Sequence, residues 1–99
     1  MNLIESNIDR LRMLCLKHKV EKLFVFGSVL SNRFNADSDI DMIVDFSEVD
    51  LRLYADNYFT LKEELEKLFH RKVDLLEAQA IRNPFFQETI DQQKHLVYG

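Results

Sequence analysis

Residues 24–46 read FVFGSVLSNRFNADSDIDMIVDF, and this stretch decides the predicted fold. It opens inside a short, mostly apolar run over residues 22–26 that ends at Gly27, which is typical of a strand buried on both faces. Residues 40–46 alternate, so a second strand has one apolar face and one largely acidic face. We therefore predict two strands, joined by a polar segment that has room for one short helical turn.

Helical spacing on either side of these strands predicts two amphipathic helices, over residues 3–18 and residues 51–68. Their apolar stripes consist of Ile4, Ile8, Leu11 and Cys15 in the first helix, and of Leu51, Tyr54, Tyr58, Leu61, Leu65 and Leu68 in the second. The histidines His18, His70 and His95 lie in charged stretches of the chain. We therefore expect these three side chains at the protein surface.

The last part of the chain adds a strand and a helix. Residues 73–77 are typical of a third strand. Asn83 and Pro84 predict the start of a helix, with Asn as the N-cap and Pro at the first helical position. The apolar side of that helix consists of Phe86, Ile90 and Val97. The order helix, strand, strand, helix, strand, helix predicts an α/β (α+β) architecture, in which helices cover a small sheet.

Length, charge and hydropathy limit the class of protein. The 99 residues, 46% of them hydrophobic, predict a single domain over residues 1–99. A formal net charge of -4 argues against direct nucleic-acid binding, which needs clustered cations. No apolar run approaches the roughly 20 residues of a membrane-spanning helix, so we expect a cytoplasmic protein without membrane association. A homo-oligomer is compatible with this sequence.

The acidic face of the second strand is the candidate site. Asp39 and Asp41 are two residues apart, so their carboxylates emerge on one face, about 6.6 Å apart along the chain. Asp74 points away from its apolar neighbours in the third strand in the same way. Gly27 allows a phosphate to approach the backbone closely, and Ser28 offers a hydroxyl and N–H groups at the start of a helical turn. Carboxylate oxygens suit magnesium, and a bound cation would relieve the repulsion among the three acids.

The pattern of Gly27-Ser28, ten further residues, Asp39-x-Asp41 and a later Asp74 in a strand resembles the DNA polymerase beta-like nucleotidyltransferase superfamily. The resemblance is closest to its MNT-type minimal members, which are antitoxins encoded beside HEPN-domain toxins, and it covers nearly the whole chain. It implies a small mixed sheet and catalysis with two Mg²⁺ ions. Asp39 and Asp41 would ligate both ions, while Asp74 would bind the second ion and help to deprotonate the acceptor hydroxyl.

The resemblance also implies the substrates. ATP would donate AMP to a hydroxyl, a tyrosine hydroxyl on the partner HEPN toxin, with release of pyrophosphate. Gly27 and Ser28 would contact the triphosphate, and Arg33 is the cation near them that could assist. Two alternatives stay open at this point. The chain could be a non-catalytic antitoxin that neutralises its partner by binding alone, or a nucleotidyltransferase that acts on a small molecule.

Overall fold

The strands of the described residues form one sheet, and helices precede it and lie between its later strands along the sequence. The computed structural model describes residues 2–27 and 38–99. In chain order, the elements of these residues are α1 (Asn2–Ser6), α2 (Ile8–Lys17), β1 (Val20–Phe26), β2 (Ile40–Phe46), α3 (Leu51–Phe69), β3 (Val73–Glu77), a 3-10 turn (Ala78–Ala80), α4 (Pro84–Gln93) and β4 (His95–Tyr98). The predicted third strand and the predicted helix start at Pro84 are both confirmed.

The sheet has the strand order β3-β2-β1-β4 among the described residues. β1 runs antiparallel to both β2 and β4, whereas β2 and β3 are parallel. A parallel pair needs a crossover connection, and the 19-residue helix α3 supplies it. This mixed sheet with flanking helices confirms the predicted α/β (α+β) class.

The prediction of a last helix that includes Val97 is wrong, because the chain leaves α4 after Gln93. Lys94 is already extended, with φ -70° and ψ 147°, and Val97 lies in β4. β4 pairs with β1 and so covers backbone groups that an open edge would expose. A strand of four residues is too short to show a clear alternation of polar and apolar residues. Its pairing with β1 therefore determines its conformation.

The main core lies on one face of the sheet, between the strands and the helices. β1 contributes Leu23 and Val25, which are fully buried, while Phe24 and Phe26 are half-buried on the opposite face. The prediction that this strand is buried on both faces is therefore wrong. The other members of the core cluster are Ile4, Leu11, Cys15, Val20, Ile40, Met42, Val44, Phe46, Leu61, Leu65, Phe69, Val73 and Leu75. The alternate residues of β2 among them confirm its predicted apolar face.

The predicted helix over residues 3–18 is interrupted at Asn7. This residue leaves helical geometry, with φ -114° and ψ 12°, and its side-chain amide donates to the carbonyl of Leu3 at 2.9 Å. The apolar stripe stays in phase across the break, because Ile4 and Leu11 are both buried. The break therefore changes the backbone and leaves the packing face as predicted.

His18 is 4% exposed, so the prediction of a surface position is wrong for this residue. Its Nδ1 lies 3.2 Å from Oδ1 of Asn57, and its Nε2 lies 3.1 Å from Oε2 of Glu64. The side-chain amide of Asn57 also donates to the carbonyl of His18 at 2.8 Å. Both partners belong to α3, so this cluster anchors the end of α2 on that helix. His70 and His95 are exposed, as predicted.

The predicted helix over residues 51–68 is confirmed as α3. Asp50 caps it by accepting a hydrogen bond from the backbone N–H of Arg52 at 2.9 Å. The predicted stripe starts too early, because Leu51 is 88% exposed in the first turn and contact with the core begins at Tyr54. Within residues 2–27 and 38–99, no helix is both long enough and apolar enough to cross a membrane.

Candidate active site

The strand register places two of the three predicted carboxylates side by side. β2 and β3 pair with Asp41 opposite Asp74, and β1 and β2 pair with Phe26 opposite Asp41. Register partners point to the same face of a sheet, so these three residues form a row across β3, β2 and β1, which we call the carboxylate row. Because Met42 belongs to the core cluster, the row lies on the opposite face of the sheet.

The third carboxylate lies at the same end of β2. Asp39 immediately precedes that strand, two residues before Asp41, and it is exposed. A side-chain contact fixes the backbone next to it, because Nη1 of Arg71 donates to the carbonyl of Ser38 at 3.1 Å. Arg71 lies in the turn that leads into β3, so the segment that carries Asp39 is tied to the strand that carries Asp74.

The three carboxylates interact electrostatically. Asp41 is half-buried, and its desolvation raises the pKa of its carboxyl group above the ordinary value. The negative charges of Asp74 and Asp39 raise that pKa further. The structure thus brings together all three acids that the sequence pattern singles out. Since like charges at this range destabilise the ionised form, the group is electrostatically suited to a cation.

Gly27 lies directly against the carboxylate row. Its φ of +76° is in the left-handed region, and a Cβ atom placed on it would lie 2.5 Å from Oδ2 of Asp41. A side chain at this position would therefore displace the carboxylate, so only glycine fits without a rearrangement. Two further predicted ligand-binding residues, Ser28 and Arg33, lie outside the described residues, and their contacts with a triphosphate remain predictions.

A second row of side chains lies beside the carboxylate row on the same face. It consists of Leu76, Ile43 and Phe24, which are register partners across β3, β2 and β1. Ile43 is buried although it lies outside the main core cluster, and the same is true of Ile90 in α4. We infer from the burial of these two residues that α4 packs on the second row, whereas the main core packs against the other face.

The two ends of α4 define how the helix crosses this face. Near its start, Phe86 lines a cleft of about 400 Å³ together with Leu76 of β3. Just after its end, Nζ of Lys94 lies 4.5 Å above the ring of Phe24 in β1. α4 therefore runs from the β3 side to the β1 side and forms a wall next to the carboxylate row. The sequence predicts Phe86 and Ile90 on the apolar side of this helix, and the same four-residue spacing extends to Lys94, but it does not predict which face of the sheet they meet.

The acidic groups can be compared with the needs of a metal ion. Among the described residues, no three His, Cys, Asp or Glu side chains are arranged to hold a metal ion by themselves. Asp39, Asp41 and Asp74 offer hard oxygen donors on an open side of the sheet. Magnesium commonly binds through one or two carboxylates, several waters and the phosphates of a substrate. The donor set therefore fits an ion that is shared with a bound phosphate group.

Comparison with known proteins identifies the relatives of this chain. The family model described as polymerase beta, nucleotidyltransferase matches residues 10–99. A protein of Methanocaldococcus jannaschii, provisionally assigned as a protein adenylyltransferase, is 35% identical over 82 residues. That alignment covers 83% of this chain and 79% of the relative. Both matches include the strands that carry the candidate site.

Solved structures share the fold. One that is provisionally assigned as a minimal nucleotidyltransferase has a TM-score of 0.76 and 28% identity, and the match covers 96% of this chain and 95% of that chain. A complex of an MNT antitoxin with the tri-AMPylated HEPN toxin of Shewanella oneidensis has a TM-score of 0.66 and 20% identity. The second match covers 96% of this chain and 71% of the solved chain, and it shows similarity of the fold alone.

Proposed function

Because this chain belongs to the polymerase beta nucleotidyltransferase family, we propose that it is an antitoxin that transfers AMP from ATP to a tyrosine hydroxyl of a HEPN-domain partner. The carboxylate row carries this proposal, with Asp41 and Asp74 in register and the backbone of Gly27 against Asp41. The family match also confirms the superfamily resemblance that the Gly-Ser and Asp-x-Asp pattern indicates.

The relatives support the chemical class of the donor and of the acceptor. The Methanocaldococcus jannaschii relative carries the name of an enzyme that attaches AMP to proteins. The HEPN toxin in the Shewanella oneidensis complex is AMPylated and is bound to an MNT antitoxin of the same fold as this chain. A donor of AMP and a protein acceptor are therefore the substrates that we assign to this chain.

The proposed reaction is an in-line displacement at the α-phosphorus of ATP. The oxygen of the tyrosine hydroxyl forms a bond to that phosphorus, and the bond from phosphorus to the oxygen that bridges the α- and β-phosphates breaks. Pyrophosphate leaves with the electron pair of the broken bond. The hydroxyl proton passes to the carboxylate of Asp74, which is exposed and can be reached by an acceptor from outside.

The residues of the site divide the remaining tasks. Gly27 and Ser28 would contact the triphosphate, with Arg33 as the nearby cation. Asp39, Asp41 and Asp74 would hold magnesium, and two such ions would neutralise the triphosphate and lower the pKa of the attacking hydroxyl. Asp41 is the central carboxylate of the three, because its pKa is raised by desolvation and then by the charges of both Asp74 and Asp39.

The test compares Asp41→Asn with Asp45→Asn. Asp45 lies on the same strand and the same face, is also half-buried, and stands four residues away from Asp41. With labelled ATP, magnesium and the purified HEPN partner, we expect Asp41→Asn to lower transfer at least about 100-fold. Loss of a group that merely supports a metal ligand already costs about 10- to 100-fold. Asp45→Asn should transfer AMP at the rate of the unmodified protein.

The same two variants separate the alternatives in a growth assay with the toxin. Neutralisation should fail for Asp41→Asn and persist for Asp45→Asn. Full neutralisation by Asp41→Asn without transfer would show instead that binding alone is the function. Label that appears in a small molecule of a cell extract, and in no protein band, would show that the acceptor is not a protein.

A further inference from the structure

The cleft at the start of α4 lies beside the carboxylate row. It is lined by Leu76, Glu77, Ala80, Ile81, Arg82, Asn83 and Phe86. Leu76 is two residues beyond Asp74 on β3, so both side chains point to the same face, about 6.6 Å apart along the strand. That distance is close to the length of a tyrosine side chain. A tyrosine side chain that packs lengthwise against Leu76, with its ring pointing towards Asp74, can therefore present its hydroxyl to the carboxylate of Asp74.

The order of the strands determines which substrate this cleft faces. Along the carboxylate row, β1 with Gly27 lies on one side of Asp41, and β3 with Asp74 lies on the other. In-line transfer needs the attacking oxygen and the leaving pyrophosphate on opposite sides of the α-phosphorus. Since the proposed function places the triphosphate at Gly27, the acceptor hydroxyl must arrive from the side of Asp74.

The lining of the cleft suits an aromatic side chain. Leu76, Ile81 and Phe86 offer apolar contacts, and Phe86 is only 44% exposed although it lies in the first turn of α4. Arg82 is also part of the lining, and a guanidinium group can stack on the face of an aromatic ring. Glu77 is engaged on the core side, where it accepts a hydrogen bond from the hydroxyl of Tyr54 at 2.5 Å.

The cleft is also accessible to a side chain of another protein. β3 is the edge strand of the sheet among the described residues, so no further strand lies between the cleft and solvent on that side. A segment of a partner can approach along this edge without displacing any element of the sheet. Nucleotide bound at the β1 side would leave this path open.

We propose that the cleft between Leu76 and Phe86 binds the acceptor's tyrosine ring and presents its hydroxyl to Asp74. This inference rests on the proposed function for the identity of the reaction. The site is distinct from the carboxylates themselves, since its residues contact the acceptor side chain and take no part in the transfer of AMP.

Two neighbouring phenylalanines provide a matched test. Phe86 lines the cleft, whereas Phe85 lies beside it in α4, is 80% exposed and is not part of the lining. We expect Phe86→Ala to raise the KM for the HEPN partner about three- to tenfold, from the loss of one aromatic contact, with the KM for ATP unchanged. Phe85→Ala should change neither constant. Ala80→Trp, which places a large side chain in the lining of the cleft, should raise the same KM as Phe86→Ala.

The outcomes distinguish this proposal from the proposed function. Normal constants for Phe86→Ala and Ala80→Trp would overturn the acceptor cleft and leave AMP transfer intact. A raised KM for ATP alone would also overturn it, since the cleft would then hold the nucleoside.

A binding measurement does not depend on transfer. N-acetyl-tyrosinamide should shift the methyl resonances of Leu76 and Ile81 in the unmodified protein, and these shifts should be lost in Ala80→Trp. If the unmodified protein transfers no AMP, the proposed function fails. The methyl shifts would still show whether the cleft binds a tyrosine ring. Unchanged methyl resonances at high concentrations of N-acetyl-tyrosinamide would overturn the proposal.

Discussion

The two faces of the sheet differ in what they bury and in what they leave open. On the core face, β1, β2 and β3 contribute apolar side chains that are buried beneath α2 and α3. On the other face, α4 covers the row through Ile43, while the adjacent row through Asp41 remains only partly covered. The same strands thus supply a continuous core on one side and a charged site on the other.

This difference shows how a chain of 99 residues separates stability from chemistry. Burial of apolar side chains on the core face favours folding. The carboxylates on the other face repel one another, so they oppose folding until a cation or a ligand arrives. Substitutions in the apolar core and in the carboxylate row should therefore have effects of opposite sign on the free energy of unfolding.

The largest effect on stability is expected on the core face. Leu65 of α3 is fully buried, so Leu65→Ala should lower the free energy of unfolding by about 2 to 5 kcal/mol, through lost burial and the cavity that remains. The matched control is Leu51→Ala in the first turn of the same helix, where the side chain is 88% exposed. That variant should stay within about 0.5 kcal/mol of the unmodified protein. Urea denaturation measures both, and equal losses would contradict the assigned core.

In the carboxylate row, Asp41→Asn should raise the stability of the ligand-free protein while it lowers the transfer of AMP. Stabilising single substitutions, among them changes that optimise surface charges, commonly contribute about 0.5 to 2 kcal/mol. Because desolvation and the charges of Asp74 and Asp39 raise the pKa of Asp41, folding disfavours its ionised form. The penalty is fully present above the raised pKa and disappears as the pH falls through it towards the ordinary value of 3.8.

The gain in stability should therefore be largest near neutral pH and vanish in acid. Urea denaturation at several pH values measures it, with Asp45→Asn as the control on the same face. A destabilised Asp41→Asn protein at neutral pH would show that the carboxylate makes favourable contacts in the empty site, and the contrast between the two faces would then fail.

The alternation of β2 predicts this contrast between faces from sequence alone. Each residue from Ile40 to Phe46 takes the side that a period of two assigns to it, and Asp41 consequently faces away from the core. The boundaries of β3 also follow from the local sequence, since they agree with the predicted range of residues 73–77. These features follow from the pattern because neighbouring residues along one strand determine them.

Features that depend on distant partners could not be predicted in this way. The register of Asp41 with Asp74 requires the strand order, which a crossover of 19 helical residues leaves undetermined. His18 occupies a charged stretch, yet its burial depends on Asn57 and Glu64, which are 39 and 46 residues further along. The position of α4 next to the carboxylate row likewise depends on which face of the sheet the helix packs against, and the sequence of the helix does not determine that face.

The smallest effect is expected at the contact of α2 with α3. Glu64 accepts a hydrogen bond from Nζ of Lys17 at 2.8 Å, and its other carboxylate oxygen lies 3.1 Å from Nε2 of His18. The bond from Lys17 and then the contact with His18 hold the pKa of Glu64 below its ordinary value of 4.5. Folding therefore favours the ionised carboxylate, and this contribution is complete above pH 4.5 and is lost as the pH falls through the lowered pKa.

Glu64→Gln should accordingly reduce the free energy of unfolding at pH 7 by about 0.2 to 1 kcal/mol, the range for solvent-accessible ion pairs. The difference in stability between the variant and the unmodified protein should shrink as the pH falls below 4.5 and through the lowered pKa of Glu64. Once Glu64 is protonated, it is as uncharged as the glutamine that replaces it. Glu63→Gln, at the neighbouring exposed position, is the control and should behave as the unmodified protein at both ends of the range. A loss that is the same at pH 3 and pH 7 would show that Glu64 acts through packing. In that case the charge of Glu64 would not stabilise the contact between α2 and α3, and His18 would be anchored mainly by Asn57.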